Sequence, residues 1–138
     1  MTDKDFLRIA VEESKKVPAP YGFGAVIVKD GELIIAEHNH VAEYNDPSAH
    51  AEVTAIRAAC SKLGDWHIHG TTMYTSHEPC MMCLCCAAWA QIDRIVFATR
   101  ADELTEDMYE FRNAEFKNIA SKLQRQIEVQ YLPLRIEE

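Results

Sequence analysis

Phe6, Ile9, Ala10 and Val17 recur at the spacing of one helix face, behind a polar start in which Thr2 stands three residues before Asp5. Apolar residues every three or four positions gather on one side of a helix. A threonine followed by a side-chain acceptor three residues later offers a reciprocal cap for the first turn. The prolines and glycines of VPAPYGFG end this pattern. GAVIVKDGELIIAEHN then holds two β-branched runs around Asp30-Gly31, a dipeptide that tolerates the positive φ angles of a tight turn, and predicts a hairpin. The polar stretch HVAEYNDPSAH, with Asp46-Pro47 inside it, predicts a loop that leads into a helix from about Ser48 to Gly64. Val53, Ile56, Ala59, Cys60 and Leu63 mark the buried face of that helix.

Further along, TTMYTS predicts a strand, and Pro79 suits the first turn of a helix reaching about Ala90. RIVFAT predicts a strand, NAEFKNIASKLQ a helix and IEVQYLPL a last strand. Strands alternating with helices predict an α/β layered fold whose helices cover a central sheet opened by an antiparallel hairpin. No repeat, low-complexity segment or linker interrupts residues 1–138, which predicts one domain.

Composition adds the setting. With 48% hydrophobic and 26% charged residues, the chain can bury a core. MTDKDFLRIA is charged and lacks an apolar signal segment, so the expectation is a cytoplasmic protein without a membrane partner. A net charge of −8, from 14 basic and 22 acidic residues, weighs against a nucleic-acid partner, because such affinity rests on Lys and Arg. Four of the five cysteines lie within HEPCMMCLCC. In a reducing compartment such a cluster stays as thiols, which bind metal or do chemistry.

Cys80 and Cys83 share the spacing of Cys83 and Cys86, so spacing does not choose between the pairs. Position does. Cys80 and Cys83 sit behind Pro79 at the positive end of the predicted helix, where a thiolate is favoured. Cys85, Cys86 and Cys60 are expected to pack as small apolar side chains. His50 and Glu52 open the preceding helix and diverge in direction, so one can ligate an ion while the other points past it. The plainer alternative makes Glu52 a solvated acid favoured by the helix dipole. Three protein ligands with one open position suit a catalytic zinc, whereas a structural site closes with four. His-x-Glu at one helix start and Pro-Cys-x-x-Cys at the next is the signature of zinc deaminases.

At this point residues from about 6 to 100 resemble the cytidine-deaminase-like superfamily. Within it they resemble the purine-type branch of bacterial guanine deaminases, plant guanosine deaminase and bacterial tRNA adenosine deaminases. The resemblance rests on FGAVIVKDG at 23–31, Asn39, NDPSAHAEVTAIRAAC at 45–60, EPCMMC at 78–83 and Trp89. AHAEVTAIRAAC followed by YTSHEPCMMCL is similar to guanine deaminase. The resemblance implies a three-layer α/β/α sandwich around a five-stranded mixed sheet, one zinc ion (Zn2+) per chain and a homodimer. It implies that His50, Cys80 and Cys83 hold the metal and that Glu52 shuttles protons. It also implies that Asn39 and the Ala51 amide position the base, and that Phe23 and Trp89 lie near the pocket, with core packing as their equal alternative.

The function expected is hydrolytic deamination of a small purine-like or related aminated heterocycle, free or as a nucleoside, with release of ammonia and a place in purine metabolism. A tRNA adenosine deaminase is the alternative, and a non-enzymatic zinc module fits an unligated Glu52 least. His38, His40, His67, His69 and His77 raise the question of a second metal, and solvated or satisfied imidazoles are the expected answer. The acidic run ADELTEDMYEFRNAEF, with Asp107 and Glu110, is expected to be solvated surface for the most part; in guanine deaminases this region supplies acidic contacts to the guanine edge.

Overall fold

The computed structural model of the chain describes residues 1–104, 116–124 and 126–134. Helix α1 spans Asp3–Ser14 and opens with the reciprocal cap that the sequence predicts. The Asp5 N–H donates to Thr2 Oγ1 at 3.3 Å, and the Thr2 N–H donates to Asp5 Oδ2 at 2.8 Å. A cap of this kind contributes about 0.5–2 kcal/mol. The helix stops at Ser14, so Val17 lies beyond it. The hairpin follows as β1, Gly24–Lys29, and β2, Glu32–His38, turning through Asp30 and Gly31, both at positive φ.

The predicted loop after β2 contains a single helical turn, α2, Val41–Tyr44. Asn45 ends it in the left-handed conformation at φ 50°, which asparagine tolerates better than most residues. Asp46 Oδ1 then accepts from the Ser48 N–H at 2.9 Å and from the Ser48 hydroxyl at 2.7 Å. That local turn occupies Ser48, and helix α3 begins three residues later than expected, at Ala51–Leu63, with Gly64 as its left-handed C-cap. The remaining elements are β3, Thr71–His77; α4, Met81–Trp89; β4, Arg94–Thr99; α5, Phe116–Ser121; and β5, Glu128–Tyr131. Residues 113–115 of the predicted helix 113–124 lie outside the described residues, as do Asp107 and Glu110.

The five strands form one mixed sheet in the order β2-β1-β3-β4-β5. β1 pairs antiparallel with β2 and β3, and β3, β4 and β5 run parallel. Parallel neighbours need a crossover, which α4 supplies between β3 and β4. Alternation along β1 sorts the core into two layers. Ala25 and Ile27 face α3 and α4, packing with Ala55, Ile56, Leu84 and Ala87. Val26 and Val28 face α1, packing with Phe6, Leu7, Ala10 and Val11. The helices thus cover both faces, giving the α/β/α sandwich expected. A Cβ on Gly24 would stand 1.9 Å from the Ala10 carbonyl oxygen, so only glycine lets α1 approach β1 this closely. No helix among the described residues is long and apolar enough to cross a membrane.

Candidate metal centre and pocket

Two helix starts meet at the carboxyl end of β3, where open α/β sheets present their binding sites. His50 is the N-cap of α3 and Cys80 the N-cap of α4, both with extended backbones. Cys80 therefore precedes the first turn rather than lying in it, and Pro79 stands one residue before the cap; Cys83 is in the first turn. Neither cap side chain bonds to its own helix backbone. Instead both turn toward each other. His50 Nδ1 lies 3.7 Å from Cys80 Sγ and 3.5 Å from Cys83 Sγ, and the three ligand atoms fall within 4.8 Å of one another. A tetrahedral zinc ion, with bonds of about 2.3 Å to sulfur and about 2.0 Å to nitrogen, sets those atoms about 3.5 Å apart. The side chains present fit the ion.

Their protonation fits as well. The Cys83 thiol, hydrogen-bonded to Cys80, pulls the Cys80 thiol down to about 4 against the opposing effect of burial, and His50 helps. The same hydrogen bond, with burial, pushes Cys83 far above its ordinary value. These opposite shifts describe two hydrogen-bonded sulfurs that titrate as a pair. His50 is raised chiefly by its hydrogen bond to Cys80. A cation taking the place of these protons would meet two thiolates and a neutral imidazole, as ligation requires.

Glu52, the second residue of α3, is 6% exposed. Burial pushes its carboxyl up to about 7, with the Cys80 charge adding to the rise. It is therefore no solvated helix-start acid. It faces a pocket of about 200 Å³, whose inner wall is His50, Ala51, Glu52 and Cys80. That volume is small beside the 300–1,000 Å³ or so of drug-sized sites. Phe23 and Asn39 also line the pocket. Asn39 Oδ1 accepts from the Phe23 N–H at 2.9 Å, and Nδ2 donates to the Tyr21 carbonyl at 3.0 Å. The amide is thereby pinned, with one further N–H and one further lone pair still able to meet a ligand. Phe23 packs edge-on against His77, ring centroids 4.6 Å apart.

Trp89 is the expected site residue that the structure does not bring to the pocket. It lies in the last turn of α4 and is 76% exposed, neither lining the cavity nor packing in the core. Tyr21, Val41 and Glu78 line the pocket without having been singled out from sequence. Glu78 stands within EPCMMC, directly before Pro79, and its Oε1 accepts from the Ala101 N–H at 3.3 Å. Cys60 and Cys86 pack partly buried against the core, as expected, and Cys85 is half-buried. His77 is buried against Ser76 Oγ at 2.7 Å and does not line the cavity.

With this geometry established, comparison with known proteins is informative. Residues 1–99 match the family described as the cytidine and deoxycytidylate deaminase zinc-binding region. A guanine deaminase of Bacillus subtilis (strain 168) is 45% identical over 109 residues, covering 77% of this chain and 70% of that protein. A tRNA-specific adenosine deaminase of Aquifex aeolicus (strain VF5) is 39% identical over 95 residues, covering 67% of this chain and 63% of that protein. Among solved structures, one from work on A-to-I editing by tRNA deaminases at the wobble position superposes with a TM-score of 0.76 at 27% identity. It covers 94% of this chain and 98% of that one.

Proposed function

The chain belongs to the cytidine and deoxycytidylate deaminase family of zinc-dependent hydrolases, and from that premise we propose that it deaminates a small purine-like ring in the manner of a guanine deaminase. The observation that carries the proposal is the buried Glu52 carboxyl on the wall of a small pocket, beside His50, Cys80 and Cys83. In this proposal those three residues hold one zinc ion per chain. When bound, zinc supplies Lewis acidity that makes a water reactive near neutral pH.

Glu52 does the proton work. Its carboxylate takes a proton from the attacking water and passes it to a ring nitrogen next to the reacting carbon. The same group then assists departure of the amine as ammonia, while the carbon gains the water oxygen as a carbonyl. A carboxyl held beside the reacting atoms can both take and give a proton. Asn39 offers its remaining N–H and lone pair to the ring edge, the Ala51 amide lies among the unpaired donors of the α3 start, and Phe23 covers the ring face.

The 45% identity to a guanine deaminase, the pocket size and the net charge of −8 support a free base or nucleoside over tRNA. The tRNA-editing reading has its own support, since the 0.76 superposition covers 94% of the chain. We read residues 1–138 as one cytoplasmic deaminase domain of purine metabolism. Pairing as a homodimer is supported by Met82 and Trp89, which lie exposed on one face of α4. Ammonia release decides among substrates, assayed with zinc-loaded protein on guanine, guanosine, cytosine, cytidine, adenosine, pterins and tRNA. A purine-type base or nucleoside should turn over fastest. Faster deamination of an anticodon stem-loop would overturn the small-molecule assignment.

A further inference from the structure

On either side of Asn39 in the chain, two histidines converge with three glutamates. His38 ends β2 and His40 caps α2, with ring centroids 4.3 Å apart. Each imidazole has its Nδ1 held by a carboxylate: His38 by Glu13 Oε2 at 3.0 Å, and His40 by Glu43. Glu37 Oε2 lies 3.0 Å from His40 Nε2. Ligand atoms of Glu37, His38 and His40 all fall within 4.8 Å of one another.

A carboxylate on Nδ1 directs Nε2 toward a cation, which is how metal-bound histidines are ordinarily oriented; at His40 the ion would take the place of the proton between Nε2 and Glu37. The spacing allows it: Glu37 Oε2 and His40 Nε2 are 3.0 Å apart and ligand atoms of all three residues lie within 4.8 Å, against roughly 3.3 Å between ligands on one tetrahedral ion at about 2.0–2.1 Å. Charge points the same way. Glu13, Glu37 and Glu43 face this cluster, and the ammonium there is Lys16, 2.8 Å from Glu13. With both imidazoles neutral, three carboxylates against one ammonium leave two negative charges, which one divalent cation balances.

We propose that Glu37, His38 and His40 form a second metal site, distinct from the Cys-containing centre, for a divalent transition ion of the zinc class. Two imidazoles and a carboxylate favour zinc, cobalt, nickel or copper over magnesium or calcium. Three protein ligands leave room for water. Glu13 and Glu43 are positioning residues that hold the rings. In the structure His38 and His40 are satisfied by carboxylates, as expected, and the proposal adds a metal to that cluster.

Cobalt(II) titration of the full-length, metal-stripped protein tests this directly, because thiolate ligands give intense charge-transfer absorption and imidazole or carboxylate ligands do not. Wild type should bind two equivalents, one with thiolate bands and one showing d–d bands alone. His38→Ala and His40→Ala should each keep the thiolate-band equivalent and lose the other. Glu43→Gln retains every ligand and removes only the partner behind His40 Nδ1, so it should weaken the second equivalent by about 10- to 100-fold. It carries the test if either alanine variant misfolds. Wild-type saturation at a single equivalent with thiolate bands would overturn the proposal, as would a second equivalent unaffected by Glu43→Gln or by either alanine variant. Loss of the thiolate bands alone would count against the first centre and leave the second standing.

Discussion

Replacing Glu52 with Gln separates its chemical role from its cost to the fold, because the two move in opposite directions. Burial raises the carboxyl from 4.5 to about 7. The folded protein therefore keeps a proton that the unfolded chain has already released between those values. Stability falls as pH rises through that window and is fully reduced above it. At about 1.4 kcal/mol per pH unit, the cost of an ionised Glu52 above pH 7 is about 3 kcal/mol in protein without metal. Glutamine has nearly the same shape and never ionises, so metal-stripped Glu52→Gln should unfold in urea with a higher midpoint than wild type at pH 8. At pH 4.5 the two should nearly coincide. A solvated acid serving the α3 dipole predicts the reverse sign, a loss of about 0.3–1 kcal/mol. Turnover of the zinc-loaded variant should meanwhile fall by about 10³-fold or more, at the upper end of what a positioned proton-transfer group contributes. A variant that keeps its zinc and more than about a tenth of wild-type ammonia release would refute the proton-shuttle role. A lower urea midpoint at pH 8 would refute the electrostatic reasoning.

The other expectations concern metal, pH and packing. Cys80→Ala should lose zinc by elemental analysis while Cys86→Ala retains it; the opposite pattern means that the wrong pair was chosen. His77 is lowered by burial from 6.5 to about 4, so the unfolded chain takes up the proton first as pH falls. That removes stability between pH 6.5 and 4, by up to about 1.4 kcal/mol per pH unit. His77→Asn should abolish this part of the slope in urea unfolding at pH 7 and 5, and an unchanged slope would count against a buried neutral imidazole. Gly24→Ala places a methyl 1.9 Å from the Ala10 carbonyl oxygen, with Ser14 N at 2.8 Å, so α1 must shift. A loss of about 3 kcal/mol or more should appear in thermal melts, and a near-normal melt would mean that α1 is less firmly seated than the structure has it.

What the chain reveals unaided depends on how local each signal is. The Thr2–Asp5 cap, the Asp30-Gly31 hairpin and RIVFAT are governed by neighbours within a few residues, and all three appear where periodicity and turn chemistry place them. The start of α3 is misplaced because Asp46 holds Ser48 in its own turn, a competition that a helical period cannot register. Trp89 shows a limit of resemblance: its type and position match, yet the last turn of α4 points it to solvent. Tyr21 lines the pocket because Asn39 ties the 21–23 loop to the end of β2, a contact across 16 to 18 residues. Nothing in local sequence marks such a contact. The His38 and His40 cluster depends likewise on Glu13, which α1 brings alongside β2 from 25 positions away.

His50 and Cys80 also bear on why the first centre reads so clearly from sequence. An N-cap position ordinarily favours Ser, Thr, Asp or Asn, and losing such a cap costs about 0.5–2 kcal/mol. Here both caps carry side chains that ignore their own helices and meet 3.7 Å apart. Glu52 adds a desolvated carboxyl in the first turn of α3. Each choice is unfavourable to a fold considered alone, and they occur together at one end of the sheet. Residues that serve local stability would not combine in this way. Residues placed for metal ligation and proton transfer would, because the free N–H groups of a helix start favour anions such as thiolates and carboxylates. The same reasoning explains why Cys85 and Cys86, within the helical body, remain outside the centre despite equal chemistry and, for Cys86, equal spacing from Cys83.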